Sequence, residues 1–498
     1  MFPLVAFPEL VQHYAPCFKA VFSAEAFIEF ERYISGLIVS ENKTVDGINR
    51  LFVNESRNQS SLNRLLTESP FSLSELNQQR LKLLDSVPGT QLKRHGVLGV
   101  DDTLLVHYGQ HFDQIAQLLD PTTGQYVWAH DLVNVHYSDD QTDYPARFQL
   151  WKPTDVAALE KGLAVAGIAL KDSKQVLKSE APHKWRNYLQ GVWRRHQSQP
   201  AVAALYQSKL IIAEQLLQDW VKAHPELTLP VTFDNWYTQP GFCRYLDQSL
   251  HLPYVGTLAA DDHVLLKSGS QRLDQFAEQL KQKHLAASEH AGSPIFKPIS
   301  IHYKGAKEHY YSYCATQRIA SFGRQRLVIN QSTRPLLPTY RQADLSDNPV
   351  FYISNRLIWQ AAGITRIRRS SCAARHSPCP RAQRAAQDIR WPVEVYHEEG
   401  KAEGLDQYQV RDFHAIERHI ALVAVVYSLL RAAQHDPVLA NKLQRQLKLD
   451  LEGSAAFWRR ATQAQCLWSL ALVISAGLAQ GQSLRAIMSP FLRALCAA

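Results

Sequence analysis

Paired cysteines are missing from this chain. Its seven cysteines, at 17, 243, 314, 372, 379, 466 and 496, are odd in number and contain no C-x2-C pair. That argues against a disulfide framework or a zinc ribbon and for a reducing compartment. The first residues, MFPLVAFPEL, lack a basic segment followed by an apolar one, so no signal peptide is expected. Long apolar runs are also scarce. The longest, Cys466 to Ala479, is interrupted by Ser469 and Ser475. It falls short of the roughly 20 residues a bilayer span requires and reads as a buried helix, so no membrane partner is expected. Asn42, Asn54, Asn58 and Asn330 open glycosylation triplets that a cytosolic protein does not use.

What is present suits a large globular protein. With 498 residues, 46% of them hydrophobic, the chain can bury extensive cores in two to four domains. The net charge of +8 and pI near 9.0 suit a polyanionic partner without requiring one.

The most informative spacing is Arg390-x3-Glu394-x6-Lys401, in RWPVEVYHEEGK. On a helix, positions four before and seven after Glu394 fall within roughly 40° of it. One face then carries guanidinium, carboxylate and ammonium in a row, suited to a phosphate backbone and a metal ion together. A solvated, salt-bridged face has the same pattern. Two upstream acids change the balance. The strand-like Val97, Leu98 and Val100 run into Asp101, Asp102 and Thr103, and a second β-rich run from Leu227 ends at Asp234, followed by Asn235, Trp236 and Tyr237. An acid at the end of a buried strand is costly unless paired or bound to a cation. Either one alone reads as a cap or turn residue; the three acids together can hold two hard divalent cations through oxygen ligands.

These residues carry a resemblance. VDDT at 100–103, FDNWY at 233–237, and RWPVEVYHEEGK followed by GLDQYQVR at 404–411 resemble a bacterial insertion-sequence transposase of the DDE class, in the subgroup with a Tyr-x2-Arg-x3-Glu-x6-Lys signature. The resemblance spans roughly residues 90 to 435. It implies an α/β, ribonuclease H-like mixed sheet with flanking helices, a β-rich insertion between the second Asp and the Glu, and helical N- and C-terminal parts. It implies metal-binding catalytic residues Asp102, Asp234 and Glu394, with Asp101 the alternative first acid. Arg390, Lys401, Trp236 and Tyr237 are the implied DNA contacts. Mg²⁺, with Mn²⁺ able to substitute, would be the cofactor. Double-stranded DNA, both the element's terminal inverted repeats and the target, would be the partner, met by a homodimer in a bacterial cytoplasm at the nucleoid. The implied reaction cuts the element ends and joins them to target DNA by two-metal hydrolysis and transesterification. A nuclease of the same fold without strand transfer, and an inactive or domesticated DNA-binding protein, remain open.

The chain departs from that pattern in two places. Gln387 stands where the signature has Tyr, and it cannot stack. Gly363 to Ile389 is rich in Arg, Ala, Ser and Cys, has no Lys and lacks clear periodicity. It reads either as a local frame slip or as a basic DNA-binding loop, and an irregular loop is expected.

The expected organisation is a helical N-terminal domain over 1–90, which could carry DNA recognition. A catalytic core over 91–254 and 350–435, a β-rich insertion over 255–349 and a helical C-terminal region over 436–498 follow. Within the core, three strands are expected at VLGVDD, 126–137 and 146–151. Alternation there separates His130 and His136 from Asp131, against a joint metal site. Residues 152–198 read as basic helices with Trp185 and Trp193 interleaved, a pattern suited to nucleic acid or to a solvated helix with buried Trp. A single helix is expected over Ala201 to Val221.

Overall fold

The computed structural model describes residues 3–53, 57–289, 293–303, 306–331, 345, 348–369 and 392–496. Its centre is one mixed sheet. The apolar start Val97-Leu98 opens β1 (Val97–His107), followed by β2 (Ala116–Leu119), β3 (Tyr126–Ser138), β4 (Asp143–Trp151), β5 (Val231–Phe233) and β6 (Tyr254–Leu258). β3 is antiparallel to β1 and β4 to β3, while β1, β5 and β6 run parallel. The spatial order β4-β3-β1-β5-β6 is thus that of the ribonuclease H-like sheet implied by the resemblance. The strands between Asp234 and Glu394 extend this sheet: β7 (His263–Leu266), β8 (Gly269–Arg272), β9 (Lys297–Tyr303), β10 (Ala306–Ile319), β11 (Gly323–Asn330) and β12 (Val350–Ser354).

Among the described residues five α-helices precede the sheet, with one 3-10 helix (Ala15–Val21) between the first two: α1 (Glu9–Tyr14), α2 (Ala24–Val39), α3 (Val45–Asn49), α4 (Gln59–Thr67) and α5 (Leu73–Ser86). Ser72 caps α5 as its sequence suggests, its hydroxyl accepting from the Glu75 N–H at 3.3 Å. Between β4 and β5 come α6 (Val156–Val165), α7 (Asp172–Gln175), α8 (Leu177–Glu180), α9 (Pro182–His196), α10 (Pro200–Ala203) and α11 (Lys209–Ala223). Then follow α12 (Pro240–Arg244), α13 (Leu273–Glu289), α14 (Ala361–Arg369), α15 (Pro392–Ala402), α16 (Phe413–Ala433), α17 (Pro437–Leu447), α18 (Ala455–Ala479) and α19 (Leu484–Cys496). The largest core joins the N-terminal helices to α16 and α18, and a second lies between the sheet and α11. α16 is buried along nearly its whole length because α2, α4, α5, α18 and β4 surround it.

Several expectations need correction. The acids of β1 do not end a strand. β1 runs on to His107 because β3 pairs with its whole length, while its parallel partner β5 stops at Phe233. β2 was not foreseen, since AQLL has no β-branched residue and pairs on one side only. The helix expected from Ala201 is interrupted: α10 stops at Ala203, and Ser208 caps a new start by accepting from Ile211 N–H. Within the β-rich insertion, β6 and β7 are separated by a turn in which the Asp262 carboxylate accepts the Ala259 N–H at 2.9 Å. The apolar C-terminal run belongs to a 25-residue helix, α18. Only the α18 side bearing Trp458, Cys466 and Leu470 is buried, and Leu467, Trp468, Leu472 and Val473 are exposed. α16 and α18 are the two helices among the described residues long and apolar enough to cross a membrane; 83% of the first's apolar stretch is buried against 28% of the second's. The start of the irregular segment is helical, because Ile364 and Ile367 of α14 pack with Val97, Val255 and Val328. Residues 370–389, including Gln387, lie outside the described residues.

Candidate catalytic carboxylate site

Strand alternation decides what the two adjacent acids of β1 face. Residues directly opposite in an antiparallel pair share a face. Asp101 is opposite Asn134, whose side-chain amide lies 3.1 Å from His397 Nε2 of α15. Asp101 therefore looks toward the helix that carries Glu394. In the parallel pair, Val100 is level with Phe233, the residues immediately before Asp101 and Asp234. α14 covers the same face further down, through Val97 and Val255.

Asp102 points the other way, with Val133 and Asp131. Lys209, the first residue of α11, donates to Asp102 at 2.8 Å and to Asp131 at 2.9 Å. The Tyr237 hydroxyl donates to Asp102 at 2.8 Å. One ammonium thus ties β1, β3 and α11 together.

Electrostatics bear on these groups as well. Burial pushes the Asp101 carboxyl well above the usual carboxylate range, and the charges of Asp102, Asp234 and Glu394 add to it against one backbone hydrogen bond from the Asp102 N–H. Asp234 is raised too, by burial first and also by the charge of Asp102; the Tyr237 and Trp236 N–H groups and the Arg368 guanidinium oppose the rise. Burial would discharge Lys209, but Asp131 and Asp102 reverse that and hold its ammonium charged. Asp131, the more buried of these two acids, is itself raised by burial and by Asp102.

The turn after β5 is built by its acid. Asp234 Oδ1 accepts the N–H groups of Trp236 at 3.0 Å and Tyr237 at 3.1 Å. Tyr237 is buried, so only Trp236, 46% exposed, offers a ring to a base. One face of that ring is taken, since the Lys209 ammonium sits 4.4 Å from its centroid.

α15 presents Glu394 at its exposed first turn, while Val393, Tyr396 and His397 are buried. Tyr396 stacks on His136, and burial lowers the His397 pKa to about 3, so His397 meets Asn134 as a neutral ring. Lys401 is half-buried near the other end, where its charge is felt by His397 and Asp406. Arg390 lies outside the described residues. The GLDQYQVR segment is structural: Gly404 has φ +104°, its carbonyl is 2.7 Å from His419 Nε2, and Leu405 and Tyr408 are buried.

His130 and His136 stand apart from Asp131, as alternation implies. His130 Nδ1 lies 2.6 Å from the Tyr408 hydroxyl, and His136 Nε2 lies 3.1 Å from Asp143. Sequence reading missed Lys209, Asp131 and Arg368. Arg368 lies in the irregular segment, donates to Thr257 at 2.8 Å and biases Asp234.

Could these residues hold a divalent cation? The donors of Asp101, Asp234 and Glu394 are all carboxylate oxygens, the hard ligands such ions take. The raised carboxyls of Asp101 and Asp234 are those a cation would relieve. Yet no three His, Cys, Asp or Glu residues among the described ones already stand in a metal-binding cluster. The chemistry fits, and the geometry is open.

The family model for DDE superfamily endonucleases matches residues 14–275, a stretch that includes Asp101, Asp102 and Asp234 and stops short of Glu394. No curated protein matches the chain. Among solved structures, the piggyBac transposase synaptic complex with hairpin DNA, seen by cryo-EM, aligns over 94% of this chain and 78% of that one, at 10% identity and a TM-score of 0.37. That likeness is too distant to specify fold or activity. With more than half its length matched, the chain belongs to the DDE superfamily endonuclease family.

Proposed function

We propose that this protein is a DNA transposase that cuts the ends of an insertion sequence and joins them to target DNA, with Asp101, Asp234 and Glu394 as its catalytic carboxylates. One observation carries the choice of acids: Asp101 directly follows the Val100–Phe233 pair and faces α15, and its carboxyl is raised by burial first and then by the charges of Asp102, Asp234 and Glu394. Asp102, the acid expected first from sequence, is the weaker choice, because Lys209 and Tyr237 already occupy it.

Divalent cations held by these three carboxylates would supply Lewis-acid stabilisation of the attacking and leaving oxygens in an in-line displacement at phosphorus. The chain's own groups do the rest. Asp234 fixes the turn that displays Trp236 beside the carboxylates. Lys209 and Tyr237 hold β1 in register through Asp102, so the neighbouring Asp101 keeps its direction. Arg368, Lys401 and Arg390 are the cations that would meet flanking phosphates, contacts that position DNA without reading sequence. A homodimer would bring two ends together, and Mg²⁺ is the expected ion.

The test uses the purified chain and labelled duplexes bearing the inverted repeats that flank its gene, with Mg²⁺ or Mn²⁺. Cleavage at the repeat end followed by strand-transfer products is the expected result. Cleavage without joining reduces the reading to a nuclease. Binding without cleavage, unchanged in Asp234→Ala, reduces it to a DNA-binding protein.

A further inference from the structure

The excursion between β4 and α11 is a small helical module with its own core. Leu159, Leu163, Trp185, Leu189, Val192, Trp193 and Val202 form a buried cluster separate from both larger cores. Residues 156–206 hold eight Lys and Arg against three Asp and Glu, a net +5 of the chain's +8. The charge concentrates on α9, PHKWRNYLQGVWRRH, which has no acid at all. At 100° per residue, Trp185, Leu189, Val192 and Trp193 point inward, and Lys184, Asn187, Gly191, Arg194 and Arg195 share the outer face, with Arg186 on its flank. Lys184, Arg186, Arg194 and Arg195 are all exposed. Lys178 is paired with Glu160 at 2.9 Å; none of the four α9 cations is in an ion pair among the described residues.

We propose that the outer face of α9 grips the phosphate backbone of double-stranded DNA beside the carboxylate site. This deepens the functional reading above and rests on it. A duplex fits better than a single strand. Trp185 and Trp193, the residues that would stack on bases, are 1% and 2% exposed, so the surface offers cations and amides but no stacking platform. The face presents no large apolar side chain for a membrane to take up. At 1.5 Å per residue the helix is about 22 Å long, enough to follow several phosphates. The module is tied to the core at both of its ends. Gln190 donates to Thr154, just past β4, at 2.7 Å. The chain re-enters the core at Lys209, 2.8 Å from Asp102. Gly191, in the middle of the stripe, leaves open ground: a Cβ there would meet only Arg195, at 3.7 Å.

The experiment measures binding of the full chain to a fluorescent 40-base-pair duplex across a range of salt concentrations. It compares the wild type, a variant with Lys184→Gln, Arg186→Gln, Arg194→Gln and Arg195→Gln, and a control with Lys267→Gln, Lys283→Gln, Arg324→Gln and Arg445→Gln. Both variants lose four exposed charges, and circular dichroism checks that each is folded. Every phosphate that the protein no longer neutralises should reduce the slope of log K against log salt by about 0.9. The α9 variant should therefore be shallower by about 2 to 4, and the control should keep the wild-type slope. An α9 slope equal to that of the wild type, or an equal loss in the control, overturns the proposal while leaving the transposase reading intact. A wild type that binds no duplex overturns both.

Discussion

Exchanging each adjacent acid of β1 for its amide should move stability in opposite directions. Asp101 sits among the charges of Asp102, Asp234 and Glu394, its carboxyl raised by burial and by those neighbours. For an acid, a raised folded-state pKa means the folded protein binds the proton more tightly than the unfolded chain, so the charge costs stability at neutral pH. Asp101→Asn removes that charge at constant shape. Without divalent ions it should stabilise the protein by about 0.5–2 kcal/mol, the usual gain when a strained functional group is neutralised. Asp102→Asn does the reverse. It removes the charge that accepts from Lys209 and Tyr237, each at 2.8 Å, and should cost about 1.5–3 kcal/mol, the worth of hydrogen bonds to a charged group. Activity should sort differently. Asp101→Asn should lower metal-dependent cleavage about a hundred- to thousandfold, the range for losing one preorganised electrostatic group. Asp102→Asn, a positioning change, should lower it about ten- to a hundredfold. Urea titration with and without Mg²⁺ adds a second reading. An ion at a hundred times its dissociation constant stabilises the folded state by about 2.7 kcal/mol, and Asp101→Asn should lose that gain. An Asp102→Asn protein that is inactive with unchanged stability, beside an active Asp101→Asn, would refute the assignment.

Three further outcomes follow from buried charge and backbone geometry. Lys209→Met leaves Asp102 and Asp131 facing each other without their shared cation and should destabilise by about 3–5 kcal/mol in urea unfolding; a change under about 1 kcal/mol would mean the cluster is solvated. Burial pushes the Asp143 carboxyl up, but Arg431, at 3.0 Å, His136 and Tyr427 outweigh it and hold it well below the usual range. Its contribution is therefore present above the unfolded carboxylate pKa and lost as pH falls below about 4. Arg431→Leu should cost about 3–5 kcal/mol at pH 7 and progressively less in acid, and a pH-independent cost would exclude this account. Gly404→Ala, at φ +104° with a Cβ 2.9 Å from the Lys43 side chain, should cost about 1–3 kcal/mol and loosen the end of α15, read by hydrogen exchange there; unaltered exchange would mean the segment relaxes freely.

Sequence carried the acids further than it carried their directions. Asp234 was legible because a short β-rich run ends on it and Asn-Trp-Tyr follows, and its own carboxylate builds the turn. Glu394 was legible through spacing on a helix. The choice between Asp101 and Asp102 was not, because composition gives two acids in succession and only register says which faces α15. That register comes from pairing with β3, a partner well downstream in the chain. Lys209 escaped notice for the same reason. It is one lysine at the start of an amphipathic helix, and only the fold brings it between Asp102 and Asp131. The basic stretch 152–198 was legible as charge, and its two Trp residues are buried in the core of the module, as the reading of a solvated helix with buried Trp has them, and do not face outward to stack. Removing them from the surface turned a pattern suited to single strands into one suited to a duplex backbone. Charge is readable from composition; the face it occupies is set by what the helix has to bury.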